Sequence, residues 1–367
     1  MRKHRPIACT FLAAFALAAS SPTMAHAEDA PRFFRIGTAA ITGTYFQIGA
    51  EIANAISKPP GSRDCERGGS CGVPGLVAVA QATEGSVANV LAVGQGEIEA
   101  AFAQADVATW AYRGEVPTLA PSKACRGSPA APQNGAAPLA KTGPIRNLRA
   151  IAALYPEAVH IVARIGSSVR ALADLKGKEV SLGEPGSGTL AEARLVLRAG
   201  GLQECQLKAQ YPHLSDATAL IESNKLDAFF LMAGAPVPAI IEAASMERVR
   251  LVPISGKPRD ALIHSYPFIT ATTIPGATYP GIDSETPTVA VPALFVASAA
   301  LSDDLVYGIT KALWQDATRR LLDNGHPAGK AIRIENALKG VAIPLHPGAA
   351  RYYTERGLTL PAEAKAP

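Results

Sequence analysis

A repeated junction most constrains what this chain can fold into: an apolar strand ends in glycine and hydroxyl residues, and these open a helix. It occurs at residues 37–44, 83–86 and 183–189. Strands that alternate with helices in this way predict an α/β fold. The first N–H groups of a helix are free and carry partial positive charge, so each junction also predicts a site for an anion such as a carboxylate.

The same patterns predict the elements along the chain. Residues 117–144, rich in proline, alanine and glycine, are expected to form an irregular surface loop. Residues 253–287 contain several prolines and glycines, and no helix or strand is assigned to them. Strands are expected at 32–38, 76–80, 100–103, 151–155, 159–163, 179–182, 228–232 and 288–298. Helices are expected from 44 to 56, from 83–86 onward, and at 168–175, 190–199, 215–223, 237–244, 302–322 and 347–356.

The N-terminus has the pattern of an export signal. Three basic residues within the first five positions precede an apolar run from Ile7 to Ala19, which is too short for a membrane-spanning helix. Ala25-His26-Ala27 is a cleavage site of the A-x-A kind. We therefore expect residues 1–27 to be removed and the mature protein, beginning at Glu28, to be periplasmic. The alternative is an N-terminal membrane anchor.

Composition and charge exclude several classes of protein. The chain has 367 residues, of which 48% are hydrophobic, so enough apolar surface can be buried to offset chain entropy and disorder is excluded. The net charge of +4 falls to +1 without the leader, and basic residues form no block. Nucleic acid and anionic membrane surfaces are therefore poor candidate partners.

Four cysteines remain after the leader, which is an even number typical of disulfides in exported proteins. Three pairings are open. Cys65 and Cys71 flank a glycine-rich turn and could close a small loop, which would leave Cys125 with Cys205. The alternative is four free thiols. A zinc site is not expected, because the chain has no C-x-x-C and no histidine beside a cysteine pair.

Catalytic and cofactor motifs are missing from the sequence. It has no H-E-x-x-H and no phosphate-binding G-K-[ST] loop. The five histidines of the mature chain are far apart, and Asp106 is either a general base, a helix cap or a contact to a ligand amine. We therefore predict a protein that is not an enzyme and that has no metal and no cofactor.

The chain resembles a known family, the TAXI-type solute-binding proteins of TRAP transporters. The segments that carry the resemblance run in order along nearly the whole mature chain. They are residues 36–38 with Thr42-Gly43-Thr44-Tyr45, then Gly85-Ser86-Val87-Ala88-Asn89, Gln104-Ala105-Asp106, Asp174-Leu175-Lys176-Gly177-Lys178, residues 183–189 and Ile343-Pro344-Leu345-His346-Pro347-Gly348. The loop closed by Cys65 and Cys71 also recurs in some members of this family.

The resemblance implies a two-lobed periplasmic-binding-protein fold of type II, with mixed sheets, helices on both faces and a ligand cleft between the lobes. One lobe would comprise residues 28–154 plus 298–367 and the other residues 155–297. The strands near 157–164 and 289–297 would form the hinge.

The resemblance also implies function and site residues. The protein would capture a small carboxylate similar to glutamate, glutamine or 2-oxoglutarate and deliver it to the TRAP membrane subunits, and it would act as a monomer. Carried over position by position, the ligand-binding residues would be Thr44, Tyr45, Ser86, Asn89, Gln104, Asp106, Ser187, Gly188, Thr189 and Ala235.

Departures from the family pattern bear on the choice of ligand. Ala105 stands where a serine is familiar, and Glu84 stands where a glycine often precedes Gly85-Ser86. Since a fold does not fix a function, two alternatives stay open. One is a ligand-sensing protein that serves a sensor kinase, and the other is a secreted enzyme built on the same fold.

Overall fold

A computed structural model describes residues 30–115 and 137–364. The strands are β1 (Arg32–Gly37), β2 (Ser57–Lys58), β3 (Val73–Pro74), β4 (Leu76–Gln81), β5 (Ala100–Gln104), β6 (Leu148–Arg164), β7 (Glu179–Ser181), β8 (Lys208–Gln210), β9 (Ala228–Ala233), β10 (Val249–Leu251), β11 (Thr270–Ile274) and β12 (Thr286–Ser298). The helices are α1 (Thr44–Ile56), α2 (Ser86–Gln95), α3 (Ala105–Arg113), α4 (Ala137–Thr142), α5 (Gly188–Ala199), α6 (Leu214–Glu222), α7 (Pro238–Ser245), α8 (Gly256–Ser265), α9 (Asp303–Leu313), α10 (Asp316–Asn324) and α11 (Pro347–Glu355).

One large mixed sheet organises the described residues. Its strand order is β4-β1-β5-β12-β6-β9-β7-β8, with β10 paired to β6 and β11 paired to β12. We call β4, β1 and β5 with the helices that follow them the first sheet half, and β9, β7 and β8 with their helices the second sheet half. Within each half these strands are parallel. The α/β class expected from the alternating pattern is confirmed.

Burial explains why these segments form strands and helices. All five residues of β5 are buried, as expected for a strand covered on both faces by helices. On α1, Ile48, Ile52 and Ile56 recur every fourth residue and are fully buried, so one face of the helix packs on the sheet. The apolar spacing in the sequence thus fixes which helix face turns inward.

Two long strands, β6 and β12, run through both sheet halves. They pair with each other, and β12 also pairs with β5. The C-terminal end of β6 pairs with β9 and β10. Pro156 on β6 stands opposite Pro292 on β12, and the register shifts just beyond Pro292. Because proline has no N–H, neither residue donates a hydrogen bond to the β6–β12 ladder at this point. The boundaries of the two lobes stay a prediction.

Two predicted element boundaries are wrong. Residues 148–164 form one strand rather than two. The strand continues through Pro156, which stands opposite Pro292 of the neighbouring strand β12. The helix expected from 302 to 322 is two helices, α9 and α10. It ends early because the Thr318 hydroxyl donates to the Ala312 carbonyl at 2.6 Å, which draws that carbonyl out of the helical pattern. Ser302 caps α9 as expected, accepting a hydrogen bond from the Leu305 N–H.

Regular structure also appears where a loop was expected, and less appears where a helix was expected. The stretch 253–287 contains α8 and β11; Pro258 falls in the first turn of α8, where a missing N–H is tolerated. Of the expected helix at 168–175, only a short 3₁₀ turn forms, Leu172–Leu175. Of the expected loop at 117–144, α4 occupies the end, and residues 116–136 lie outside the described residues.

One predicted disulfide is present: Cys65 and Cys71 are bonded across six positions of sequence. Cys125 lies outside the described residues, so its pairing with Cys205 stays a prediction, as does the leader at 1–27. Among residues 30–115 and 137–364, no helix is long and apolar enough to cross a membrane. The same residues contain no cluster of three or more histidine, cysteine or acidic side chains placed to hold a metal ion.

Candidate functional site

A small cavity of about 70 Å³ lies where the carboxyl ends of the strands of both sheet halves meet. That volume is enough for a handful of water molecules or a small solute. Ligands in open α/β sheets bind at this edge, because the loops after parallel strands converge there. The lining residues are Ala39, Ala40, Gly43, Thr44, Tyr45, Glu84, Gly85, Ser86, Gln104, Glu157, Glu184, Ser187, Gly188, Thr189, Leu214, Leu231, Met232 and Ala233.

Most of the predicted site residues meet at this cavity, although they come from distant parts of the chain. Those that line it are Thr44, Tyr45, Ser86, Gln104, Ser187, Gly188 and Thr189. The lining of the cavity is a fact of the structure, whereas contact of these residues with a ligand stays a prediction.

Several of the expected ligand hydroxyls already have protein partners. The Thr44 hydroxyl donates to the Gly234 carbonyl at 2.6 Å. The Thr189 hydroxyl accepts from the Met232 N–H at 3.1 Å. The Ser86 hydroxyl accepts from the Gln104 N–H at 3.1 Å. These hydroxyls therefore set the positions of the strand ends and have less capacity left for a solute.

The junction at 183–189 performs the helix-opening role that its sequence predicts. The Ser187 hydroxyl accepts from the Leu190 N–H at 3.1 Å and so caps α5, and it donates to the Glu184 carbonyl at 2.7 Å. The Gly186 carbonyl accepts from the N–H groups of Val87 and Ala88, both at 3.0 Å. Free donors at the start of α2 are thus satisfied by the opposite sheet half.

The two sheet halves pack closely at Gly188. A β-carbon placed there would lie 1.3 Å from the Gln104 Oε1 atom and 3.0 Å from the Ser86 Oγ atom. An alanine at this position would therefore fit only if the Gln104 amide moved aside or the halves moved apart. Gln104 itself is 1% exposed, and neither its Oε1 nor its Nε2 has a hydrogen-bond partner among the described residues.

Glu157 forms the base of the cavity, in the middle of β6. It is 2% exposed and accepts a hydrogen bond from the Tyr45 hydroxyl at 2.6 Å. Burial raises the pKa of the Glu157 carboxyl well above its usual range; the hydrogen bond from Tyr45 opposes this rise and the nearby Asp106 adds to it. Burial also raises the pKa of the Tyr45 hydroxyl, so Tyr45 stays a donor at neutral pH.

Asp106 faces another carboxyl group rather than the cavity. It lies on α3 against Glu192 of α5, from the opposite sheet half, and both side chains are buried. The two carboxyl groups are close enough to share a hydrogen bond, which one of them can donate only when it is protonated. Burial raises the pKa of both groups, and the proximity of Asp106 raises that of Glu192 further. The pair is therefore accommodated best when it holds a proton.

Two other predicted site residues lie away from the cavity lining. The Asn89 amide donates to the carbonyls of Thr38 and Phe102, both at 2.7 Å, so it ties together the ends of β1 and β5. Ala235 follows Gly234 in the loop after β9, and its peptide bond to Pro236 is cis. Both residues lie behind the surfaces that form the cavity.

Three acidic residues of the cavity are not among the predicted ligand-binding residues, although the sequence marked Glu84 as a departure that bears on the choice of ligand. Glu84 is exposed at its mouth, while Glu184 is 8% exposed and is hydrogen-bonded to His213. Burial raises the pKa of the Glu184 carboxyl, an effect that His213 opposes. Glu157 could have been found, because it is the one charged residue in the run 150–159. The lining residues include no lysine, arginine or histidine.

The two halves of a mixed α/β sheet meet around a cavity at their strand ends. The chain belongs to the NMT1-like family, whose model matches residues 36–127 and 126–357.

Solved structures of low identity align with most of the chain. The alkanesulfonate-binding protein SsuA from Xanthomonas axonopodis pv. citri, bound to MOPS, is 16% identical over 91% of this chain and 96% of its own, with a TM-score of 0.46. An ancestral arginine-binding protein bound to arginine is 15% identical over 79% and 96%, with a TM-score of 0.42. The sugar acid binding protein DctPAm from Advenella mimigardefordensis, in complex with galactonate, is 13% identical over 90% and 86%, with a TM-score of 0.41.

Proposed function

We propose that this protein is the extracytoplasmic solute-binding subunit of a TRAP-type secondary transporter and that it captures a small carboxylate-bearing solute. The observation that carries the proposal is the cavity enclosed by strand-end loops of both sheet halves. A cleft of this kind can close on a solute and present a changed surface to membrane subunits.

Contacts between the sheet halves support closure. The bonds from Thr44 to Gly234 and from the start of α2 to Gly186 join the halves directly at the cavity. They can form only when the halves are close together, so a solute that fills the cavity stabilises the same arrangement. The lobes that we propose to move are residues 28–154 with 298–367, and residues 155–297.

The start of α1 is the place we assign to the carboxylate. Gly43, Thr44 and Tyr45 line the cavity, and the first-turn N–H groups of a helix have no acceptor within the helix. The start of α2, in contrast, already donates to Gly186. A carboxylate at α1 also gains from the positive end of the helix.

Binding rather than catalysis fits the polar groups of the cavity. A hydrolytic or transfer reaction needs a nucleophile beside a base, and here the hydroxyls of Ser86, Ser187 and Thr189 are engaged with main-chain groups. The membrane subunits, the periplasmic location and the monomeric state belong to this proposal.

The test is in two parts. Isothermal titration calorimetry of the purified protein against amino acids, 2-oxo acids and C4-dicarboxylates should identify one class of solute that binds saturably. That solute should be recovered chemically unchanged after incubation with the protein. Proteoliposomes that hold the cognate membrane subunits should then take up that solute only when the protein is added. Turnover of the solute, or uptake that is independent of the protein, would overturn the proposal.

A further inference from the structure

We propose that the solute carries an ammonium group, which Glu157 and Gln104 bind from one side of the cavity. This inference rests on the proposed function and names the class of solute: a small amino acid or related amine rather than a carboxylate that lacks nitrogen. It is carried by two independent observations, the charge of the cavity wall and the unpartnered amide of Gln104.

The charge of the wall is the first observation. Three glutamates line the cavity, and its lining residues include no basic side chain. A dicarboxylate or 2-oxo acid would find three carboxyl groups on this wall and no side-chain cation. A positive group on the solute would instead find hydrogen-bond acceptors there, and it would stabilise the charged form of the buried Glu157 carboxyl.

Of the three glutamates, Glu157 is the one best placed to bind an ammonium group. Its carboxyl is almost fully buried, and one of its oxygens accepts from the Tyr45 hydroxyl at 2.6 Å. Tyr45 is itself buried and packs its ring edge-on to Phe102, with centroids 5.4 Å apart, so it holds the carboxyl in one place. The second oxygen of Glu157 can accept from a solute.

Gln104 is the second observation. It lines the cavity, is 1% exposed, and neither atom of its amide has a partner among the described residues. An amide left unpaired in a buried site costs free energy, which a solute that bonds to it recovers. The Gln104 oxygen accepts from an N–H, so an ammonium with three donors can bond to Gln104 and Glu157 together.

Proton release when the solute binds is a measurable consequence that distinguishes an amine from other solutes. Burial and Asp106 raise the pKa of Glu157, and an ammonium beside its carboxyl lowers it again. The titratable groups around it are Tyr45, Tyr155, Asp106 and Glu192. An amine should therefore release protons when it binds, whereas a solute without nitrogen should not.

The experiment compares pairs of similar solutes in which only one member carries an ammonium group. Kd is measured by titration calorimetry for L-alanine against L-lactate, L-glutamine against 2-oxoglutaramate, and 4-aminobutyrate against butyrate, each in two buffers of different ionisation enthalpy. We expect at least one amine to bind at least a hundredfold more tightly than its partner and to release protons.

Matched variants test the residues. Glu157→Gln should reduce that preference to less than tenfold and abolish proton release, whereas Glu242→Gln, which removes the same charge from an exposed position on α7 outside the cavity lining, should keep both. Gln104→Leu should reduce the preference as well. Circular dichroism and thermal melting confirm that each variant is folded.

Three results would overturn the inference, and they separate it from the proposed function. Equal or tighter binding of the ammonium-free partners overturns the ammonium site but leaves the solute-binding role intact. An equal loss of preference in Glu242→Gln and Glu157→Gln shows that net charge, rather than the Glu157 site, selects the solute. No binding by either series overturns both the inference and the carboxylate-binding role.

Discussion

The contact between Gly188 and Gln104 makes a quantitative prediction about closure. Replacing Gly188 with alanine places a methyl group 1.3 Å from the Gln104 Oε1 atom. Carbon and oxygen atoms in van der Waals contact are more than about 3 Å apart, so the amide must move by about 2 Å. Because Gln104 is buried, the space open to it is the cavity itself.

The magnitude follows from that displacement. Overpacking a well-filled site by a methyl group costs about 1–3 kcal/mol. Since the clash is relieved when the sheet halves separate, this cost falls on the closed, solute-bound state and not on folding. At about 1.4 kcal/mol for each tenfold change, Kd should rise by about 5-fold to about 140-fold.

A double-mutant cycle is the assay. Kd for the bound solute is measured by titration calorimetry for the wild type, Gly188→Ala, Gln104→Ala and the double variant. In the Gln104→Ala background the clashing atoms are gone, so Gly188→Ala should change Kd by less than about twofold. The melting temperature of the solute-free protein should stay close to that of the wild type in the Gly188→Ala variant.

Two outcomes would refute this reasoning. Wild-type affinity in Gly188→Ala would mean that the solute-bound protein does not bring Gly188 against Gln104. The same loss of affinity in both backgrounds would mean that alanine acts through something other than the amide of Gln104, such as the start of α5.

Other perturbations test the buried carboxyl pair, the disulfide and the helix cap. Burial raises the pKa values of Asp106 and Glu192 in the folded protein. The folded protein therefore keeps protons that the unfolded chain releases above about pH 4, and the free energy of unfolding should fall as pH rises from about 5 to about 8. Glu192→Gln should flatten this slope in urea titrations; an unchanged slope would contradict the assignment. Replacing Cys65 and Cys71 with serine should cost about 2 kcal/mol in the same assay, because the bond closes a short loop, and should leave Kd unchanged. Ser187→Ala should cost about 1 kcal/mol through loss of the α5 cap, and Ser187→Asp, which can also cap, should restore most of it.

Local patterns in the sequence predicted the fold class and much of the cavity lining. Glycine and hydroxyl residues after an apolar strand act on their own helix, as Ser187 does for α5, so their role can be deduced from a few neighbouring residues. Strand ends of a parallel sheet share one edge, which is why Thr44, Ser86 and Thr189 meet although they lie far apart in the chain.

The sequence by itself determined the α/β class, the order of most elements and the membership of residues 183–189 in a helix-opening loop, and it offered the small loop between Cys65 and Cys71 as one of the open pairings. These depend on contacts within a few residues. Only the tertiary structure decided which polar groups remain free for a solute. The Thr44 hydroxyl is taken by Gly234, 190 positions away, and Glu157 is held by Tyr45, 112 positions away. Burial and hydrogen bonding across such separations depend on how the two sheet halves meet, and no local pattern encodes that meeting. The same long-range packing leaves the Gln104 amide without a partner and gives the cavity its acidic wall.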